Sequence, residues 1–466
     1  MVFSSIPFVF FFLPACLILY YAAPFRLKNY VLLFFSLLFY AWGEPVYILL
    51  MLFVTMVDYT AGRLMERAGN RKIVLILAAG TDLACLGFFK YADFFVRTVN
   101  GVLEAAKGTT LPLPGISLPI GISFFTFQSM SYTIDRCRGE VPEEKNYLSY
   151  LTYVSMFPQL IAGPIVRFRT VNRELHERAV DRACFEEGVP RFLRGLFRKV
   201  LIANNVGAVW EQIRDLQAAG GASAATAWLG AVLFTLQLYF DFSAYSDMAI
   251  GMGRMLGFHF LENFNYPLSA VSVTDFWRRW HISLSTWFRD YVYIPLGGNR
   301  RGTAVQIRNM FVVWFLTGLW HGASWNFVIW GLYYGVLLAL EKFVWGKALE
   351  KLPRVLRHLY AFLIVVFGFV IFVFDDSAAL RSYLSTMFCL GTDGGSLLIG
   401  HEFFWYFGQN AALILLSLVL SFPVWPRLRE RVRFPAGTVV FYACLFLLST
   451  AWMVSETYNP FLYFRF

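Results

Sequence analysis

From Met310 to Leu340 the chain runs for 31 residues without one Asp, Glu, Lys or Arg. As a single straight helix this stretch would be about 46 Å long, against a hydrocarbon core of about 30 Å. It therefore holds more than one crossing, and Gly318, Gly322, Gly331 and Gly335 are natural places for a bend or for close helix packing. Further apolar runs lie near 6–23, 30–43, 45–61, 73–95, 149–165, 226–256, 359–374, 402–425 and 437–455. The first lacks a basic leader and is expected to be a retained helix, not a cleaved signal.

Composition closes the alternatives. Only 15% of the 466 residues are charged and 58% are hydrophobic, whereas a soluble domain carries about 25% charged residues. A soluble enzyme, a disordered scaffold and a disulfide-stapled secreted module are excluded. The net charge of +10 does not argue for nucleic acid, because basic residues collect in the cytoplasmic loops of membrane proteins. The six Cys are scattered without C-x-x-C spacing, and Cys16, Cys389 and Cys444 lie in apolar runs and read as small core residues. No metal site is expected. The predicted fold is all-α: a polytopic membrane protein of about eleven transmembrane helices, with re-entrant and interfacial helices, forming one integral-membrane domain over 1–466.

Charge asymmetry sets an expected orientation. Lys342, Lys347, Lys351, Arg354 and Arg357 place 342–357 inside, and Arg427, Arg429, Arg431 and Arg433 do the same for 427–433. The loop that opens with Asp375 and Asp376 is then outside, as are both chain ends. Two apolar stretches contain breakers: 115–135 carries Pro119, and 193–212 carries Arg198 and Lys199. Both are expected to be re-entrant or tilted pieces, tolerated only where protein or a cavity surrounds them. Residues 167–199 hold nine basic and five acidic side chains and read as a cytoplasmic amphipathic helix pair. Residues 275–308 interleave six Arg with Trp277, Trp280, Trp287, Phe288, Tyr291 and Tyr293, a composition suited to the headgroup level. Some of these Arg can instead face a phosphate-bearing substrate.

Ionisable groups inside apolar runs mark function by default. His321, eleven residues into the charge-free stretch, is the foremost, and imidazole is the usual general base near neutral pH. His281 lies in DFWRRWHISLSTWFRD. Asp241 and Asp247 lie mid-span in YFDFSAYSDMAIG and each needs a buried partner or a wet cavity. There is no G-x-x-x-x-G-K-[ST], G-x-S-x-G or H-E-x-x-H motif, which disfavours ATP hydrolysis, serine-esterase and zinc-protease chemistry.

Seven blocks in order, SFFTFQSMSYTID (123–135), FPQLIAGPIVRF (157–168), YFDFSAYSDMAIG (239–251), ENFNYPLSA (262–270), DFWRRWHISLSTWFRDYVYIPLGGNR (275–300), GLWHGASW (318–325) and NPFLYFRF (459–466), together resemble the membrane-bound O-acyltransferases. The likeness is to the bacterial branch that includes the membrane subunit of alginate O-acetylation. The resemblance implies a funnel of helices open to the cytoplasm. His321 matches the family's essential His, and His281 matches its second, less strictly required polar position. The implied donor is acetyl-CoA, with no bound cofactor; a related branch that moves D-alanine to teichoic acid uses an acyl carrier protein. The implied partners are an extracytoplasmic esterase-like protein, a polysaccharide acceptor and the lipid bilayer of the bacterial cytoplasmic membrane. On this reading His321 is the general base, while Asp241, Asn326 or His281 orients it or fills a polar passage. Arg278 and Arg279 are candidates to hold the CoA phosphates, with lipid headgroup anchoring as the competing role. A transporter without covalent chemistry is the remaining alternative, and no internal repeat supports it.

Overall fold

A computed structural model describes residues 1–67, 69–390, 398–424, 435–455 and 462. The basic loop at 427–433 and most of the closing NPFLYFRF block lie outside the described residues. Among those described, regular structure is helical throughout. The chain divides into two compact units, one of residues 1–192 with 246–261 and one of residues 193–245 with 262–466.

The first unit contains α1 (Leu13–Ala22), α2 (Phe25–Gly43), α3 (Ile48–Leu64), α4 (Arg71–Leu86), α5 (Ile122–Arg138), α6 (Tyr147–Ser155) and α7 (Phe168–His176), with α8 (Arg182–Phe197) passing out of it. The 115–135 stretch resolves into an irregular lead followed by α5, whose start is set by Gly121 in the left-handed region at φ 80°. α5 is far more polar than its neighbours and yet almost wholly buried, so each polar group must find a partner. Thr133 donates to Asp58 Oδ1 at 2.6 Å, Ser129 and Tyr150 share a hydrogen bond at 2.8 Å, and Gln128 donates to the Tyr153 carbonyl at 2.7 Å. The expected amphipathic pair in 167–199 appears as α7 and α8.

The second unit contains α9 (Asn204–Ala218), α10 (Ala224–Met255) up to Tyr245, α11 (Val273–Arg279), α12 (Ile282–Phe288), α13 (Thr303–His321), α14 (Trp325–Leu340), α15 (Arg354–Val373), α16 (Ser377–Met387), α17 (His401–Leu420) and α18 (Pro435–Ser455). The sequence suggests a re-entrant or tilted piece, interrupted by Arg198 and Lys199, in 193–212. Instead α8 continues into α9 through a π-helical turn at Arg198–Ala203, because Lys199 meets Asp241 at 2.7 Å, both 3% exposed. Neither charge needs an opening to water. The charge-free stretch does break, at Gly322–Ser324, giving the α13–α14 hairpin. Its helices meet backbone to backbone: a Cβ on Gly331 would overlap the Trp314 carbonyl oxygen, and one on Gly318 the Phe327 carbonyl oxygen.

Among the described residues, six helical runs are long and apolar enough to cross a membrane: Arg71–Ala105, Ala224–Met255, Trp325–Glu350, Arg354–Val373, His401–Leu420 and Gly437–Ser455. The expected eleven are not reproduced by this measure: α3 and α5 have 17 residues each, short of the ~20 of a straight crossing, and α5 also carries polar residues that serve contacts inside the protein. The six Cys are unpaired with one another; Cys16 is buried, but Cys389 and Cys444 are exposed instead of sitting in a core.

Candidate acyl-transfer site

His321 is the last residue of α13 and is 7% exposed. Its Nδ1 lies 2.7 Å from the Thr317 carbonyl oxygen. A carbonyl only accepts, so Nδ1 carries the proton and Nε2 is the basic nitrogen. Aromatic rings enclose the imidazole, with centroids of Trp330 at 4.8 Å, Trp320 at 5.1 Å and Phe372 at 5.7 Å.

The His281 ring stands perpendicular to His321 with centroids 6.5 Å apart. His281 precedes α12 in a left-handed conformation, φ 45° and ψ 52°, and is 1% exposed. A non-glycine residue there costs about 1–3 kcal/mol and persists only where its surroundings hold it. Asn263 does the holding. Its main-chain oxygen accepts the Ile282 N–H at 3.0 Å, and its side-chain oxygen accepts from Ser283 N at 3.1 Å and Ser283 Oγ at 2.9 Å. Burial, and then the neighbouring His321, push the His281 imidazole well below its usual range, so it stays neutral.

Two adjoining cavities lead to His281; His321 lines neither. The outer, of about 800 Å³, is lined by Arg278, Arg279, Lys342, Lys347 and Arg357 together with Asp275, Glu341 and Glu350. The inner, of about 260 Å³, is lined by Trp277, Trp314, Phe288, Thr317 and His281 among others. Thr274, Arg278, Met310 and Leu338 line both, so they form one groove, cationic outside and aromatic within. Two of the acidic groups are already engaged. Asp275 pairs with Arg279 at 2.8 Å, and Glu341 accepts the Val273 and Thr274 N–H groups at 2.8 and 2.9 Å, capping α11. With Arg279 committed to Asp275, four cations, Arg278, Lys342, Lys347 and Arg357, stand against two carboxylates, Glu341 and Glu350.

The remaining predicted residues separate. Asn326, in the first turn of α14, is 5% exposed, donates to the Phe372 carbonyl at 3.0 Å and also bonds the Asp375 carboxyl. Asp241 engages Lys199 and accepts the Leu462 N–H at 2.9 Å, so its position is explained by pairing. Asp247 pairs with Arg191 at 2.6 Å. Removing one partner of a buried pair leaves an uncompensated charge, which costs about 3–5 kcal/mol. Asp241→Asn is therefore expected to lower the thermal midpoint in detergent sharply, and the double variant with Lys199→Met to recover most of it. Equal midpoints for Asp241→Asn and the parent would show that the pair contributes nothing.

A buried pair of histidines thus lies beside a basic, aromatic-lined groove in a chain with helices long and apolar enough to cross a membrane. The profile of the membrane-bound O-acyltransferase family matches residues 117–380, and the chain belongs to that family. It is a multi-pass membrane O-acyltransferase. The probable alginate O-acetylase AlgI of Pseudomonas aeruginosa is 44% identical over 396 residues, covering 84% of this chain and 76% of its own length. That of Pseudomonas putida is 39% identical over 490 aligned positions, covering both chains in full. The peptidoglycan O-acetyltransferase of Helicobacter pylori is 33% identical over 436 residues, 85% of this chain and 81% of its own.

Asn263, Lys342, Lys347 and Arg357 were not singled out as site residues by sequence. The three cations form a plain positive-inside loop until the fold sets them beside Arg278. Asn263 carries no signal of its own.

Proposed function

We propose that the chain moves an acetyl group from acetyl-CoA, entering from the cytoplasm, toward the outer face of the bacterial inner membrane for O-acetylation of an exported or cell-wall polysaccharide. The groove that joins five cations to His281 supports this reading, because it suits a donor with phosphates at one end and a thioester at the other. His321 Nε2 accepts the proton of the attacking hydroxyl as its oxygen adds to the thioester carbonyl. The carbon–sulfur bond then breaks and His321 returns the proton to sulfur. One thioester and one hydroxyl become one ester and one thiol, and the histidine ends neutral. His281 orients His321 or fills the polar passage beside it, Arg278 and Arg279 bind phosphate, and no bound cofactor takes part. An extracytoplasmic esterase-like partner places the acetyl group on the sugar.

The test is transfer of label from radioactive acetyl-CoA by the purified chain, with an acyl carrier thioester in parallel. Turnover with the CoA thioester alone supports the proposal, and turnover with the carrier thioester alone replaces it by D-alanyl-type transfer. Arg278→Gln is expected to raise KM for the CoA thioester about tenfold with little change in kcat, since a charge-assisted hydrogen bond is worth about 1.5–3 kcal/mol. An unchanged KM would return Arg278 to the role of a lipid anchor.

A further inference from the structure

We propose that Asn263 is a positioning residue for the transfer reaction, fixing His281 in the Nδ1-protonated tautomer so that its Nε2 is presented as a hydrogen-bond acceptor beside His321. The proposal rests on the reading of these two histidines as the reacting pair.

One donor beside Asn263 cannot change its role. The Ser283 backbone N–H points at the Asn263 side chain at 3.1 Å, and a main-chain N–H only donates, so the carboxamide atom it meets is the oxygen. The same atom lies 3.3 Å from His281 Nδ1. An oxygen acceptor there requires Nδ1 to carry the proton. In a neutral imidazole the lone pair then sits on Nε2. The imidazole is neutral because it is buried among Phe242 at 4.8 Å, Trp320 at 5.8 Å and His321. Asn263 itself is 0% exposed, and its own main-chain oxygen holds Ile282. The residue therefore fixes both the ring's tautomer and the strained backbone that aims it. His281 lines the inner cavity, while its Nε2 is itself buried, so the acceptor it offers lies within the wall of the site, on the ring that stands against His321.

The groups facing His281 set the sign of a pH test. The ionisable groups are His321 on α13 and, lining the same inner cavity, Arg278 and Arg289, whose positive charges disfavour imidazolium; Asn263, Ser283, Phe242 and Trp320 carry no charge. Asn263→Asp keeps every acceptor and adds a negative charge beside Nδ1, which favours imidazolium. Imidazolium has no acceptor on Nε2, so the acidic limb of the kcat profile is expected to move to higher pH, with activity returning as the ring deprotonates. Asn263→Ala is expected to lower kcat by about 100-fold, the cost of a small misplacement of a reacting constellation, with KM for the donor nearly constant. A profile for Asn263→Asp that superimposes on the parent's would overturn the proposal. A measurement without substitution at Asn263 stands beside it: ¹⁵N NMR of histidine-labelled full chain in bilayers, assigned by comparison with His281→Gln. The proposal requires a pyrrole-type Nδ1 and a pyridine-type Nε2 at neutral pH, and the reverse pattern overturns it. If His321→Ala retains activity, the reading of the histidine pair fails. If that variant is dead and the Asn263→Asp profile is unmoved, only the role of Asn263 fails.

Discussion

His321→Ala is expected to lower acyl transfer by about 10³-fold, the middle of the range for loss of a positioned acid–base group, while the protein still inserts and elutes as the parent does. The fold should survive because the imidazole spends its Nδ1–H on a carbonyl of its own helix, Thr317, and the aromatic rings around it pack on one another as well as on it. His321→Asn serves as a companion, since its amide can still reach back along α13 but cannot take a proton. Both variants should be equally inactive in the radioactive acetyl assay with unchanged elution. Activity within tenfold of the parent in either would remove His321 from the chemistry.

The second large effect is structural. Gly331→Ala or Gly318→Ala inserts a methyl group where the facing helix offers only a backbone carbonyl oxygen. Backbone cannot rotate aside as a side chain can, so α13 and α14 must separate and the aromatic packing around His321 is lost with them. A loss above about 4–5 kcal/mol is expected, in the exceptional range for a point change. Gly80→Ala is the contrast. It lies in α4 with nothing within 4 Å of its would-be Cβ, so it should gain up to about 1 kcal/mol of helix propensity. Thermal unfolding in detergent, followed by intrinsic fluorescence, checks all three. Equal midpoints for Gly331→Ala and Gly80→Ala would show that the hairpin has slack.

Sequence made His321 visible through its setting, since a titratable group in 31 uncharged residues has few bland explanations. The break beside it was also legible, because Gly322 adopts extended backbone where the helix must stop. The Arg and Trp alternation marked α11 and α12 as special without saying which Arg face a cavity. What the pattern could not carry were pairings across the chain. Lys199 reads as an interruption until Asp241 is set against it, and Asn263 is one amide in an irregular stretch until the chain returns with Ser283. Hydropathy also misjudges α5, where polarity reflects partners inside the protein and not exposure to water.

Met310 lies where the outer and inner cavities join, and His321 lies eleven residues further along the same helix. At ~1.5 Å per residue, α13 therefore rises about 16 Å from Met310 to the imidazole-bearing residue. Positive charge does not stop at the outer cavity along the way, because Arg278 and Arg289 line the inner one together with His281.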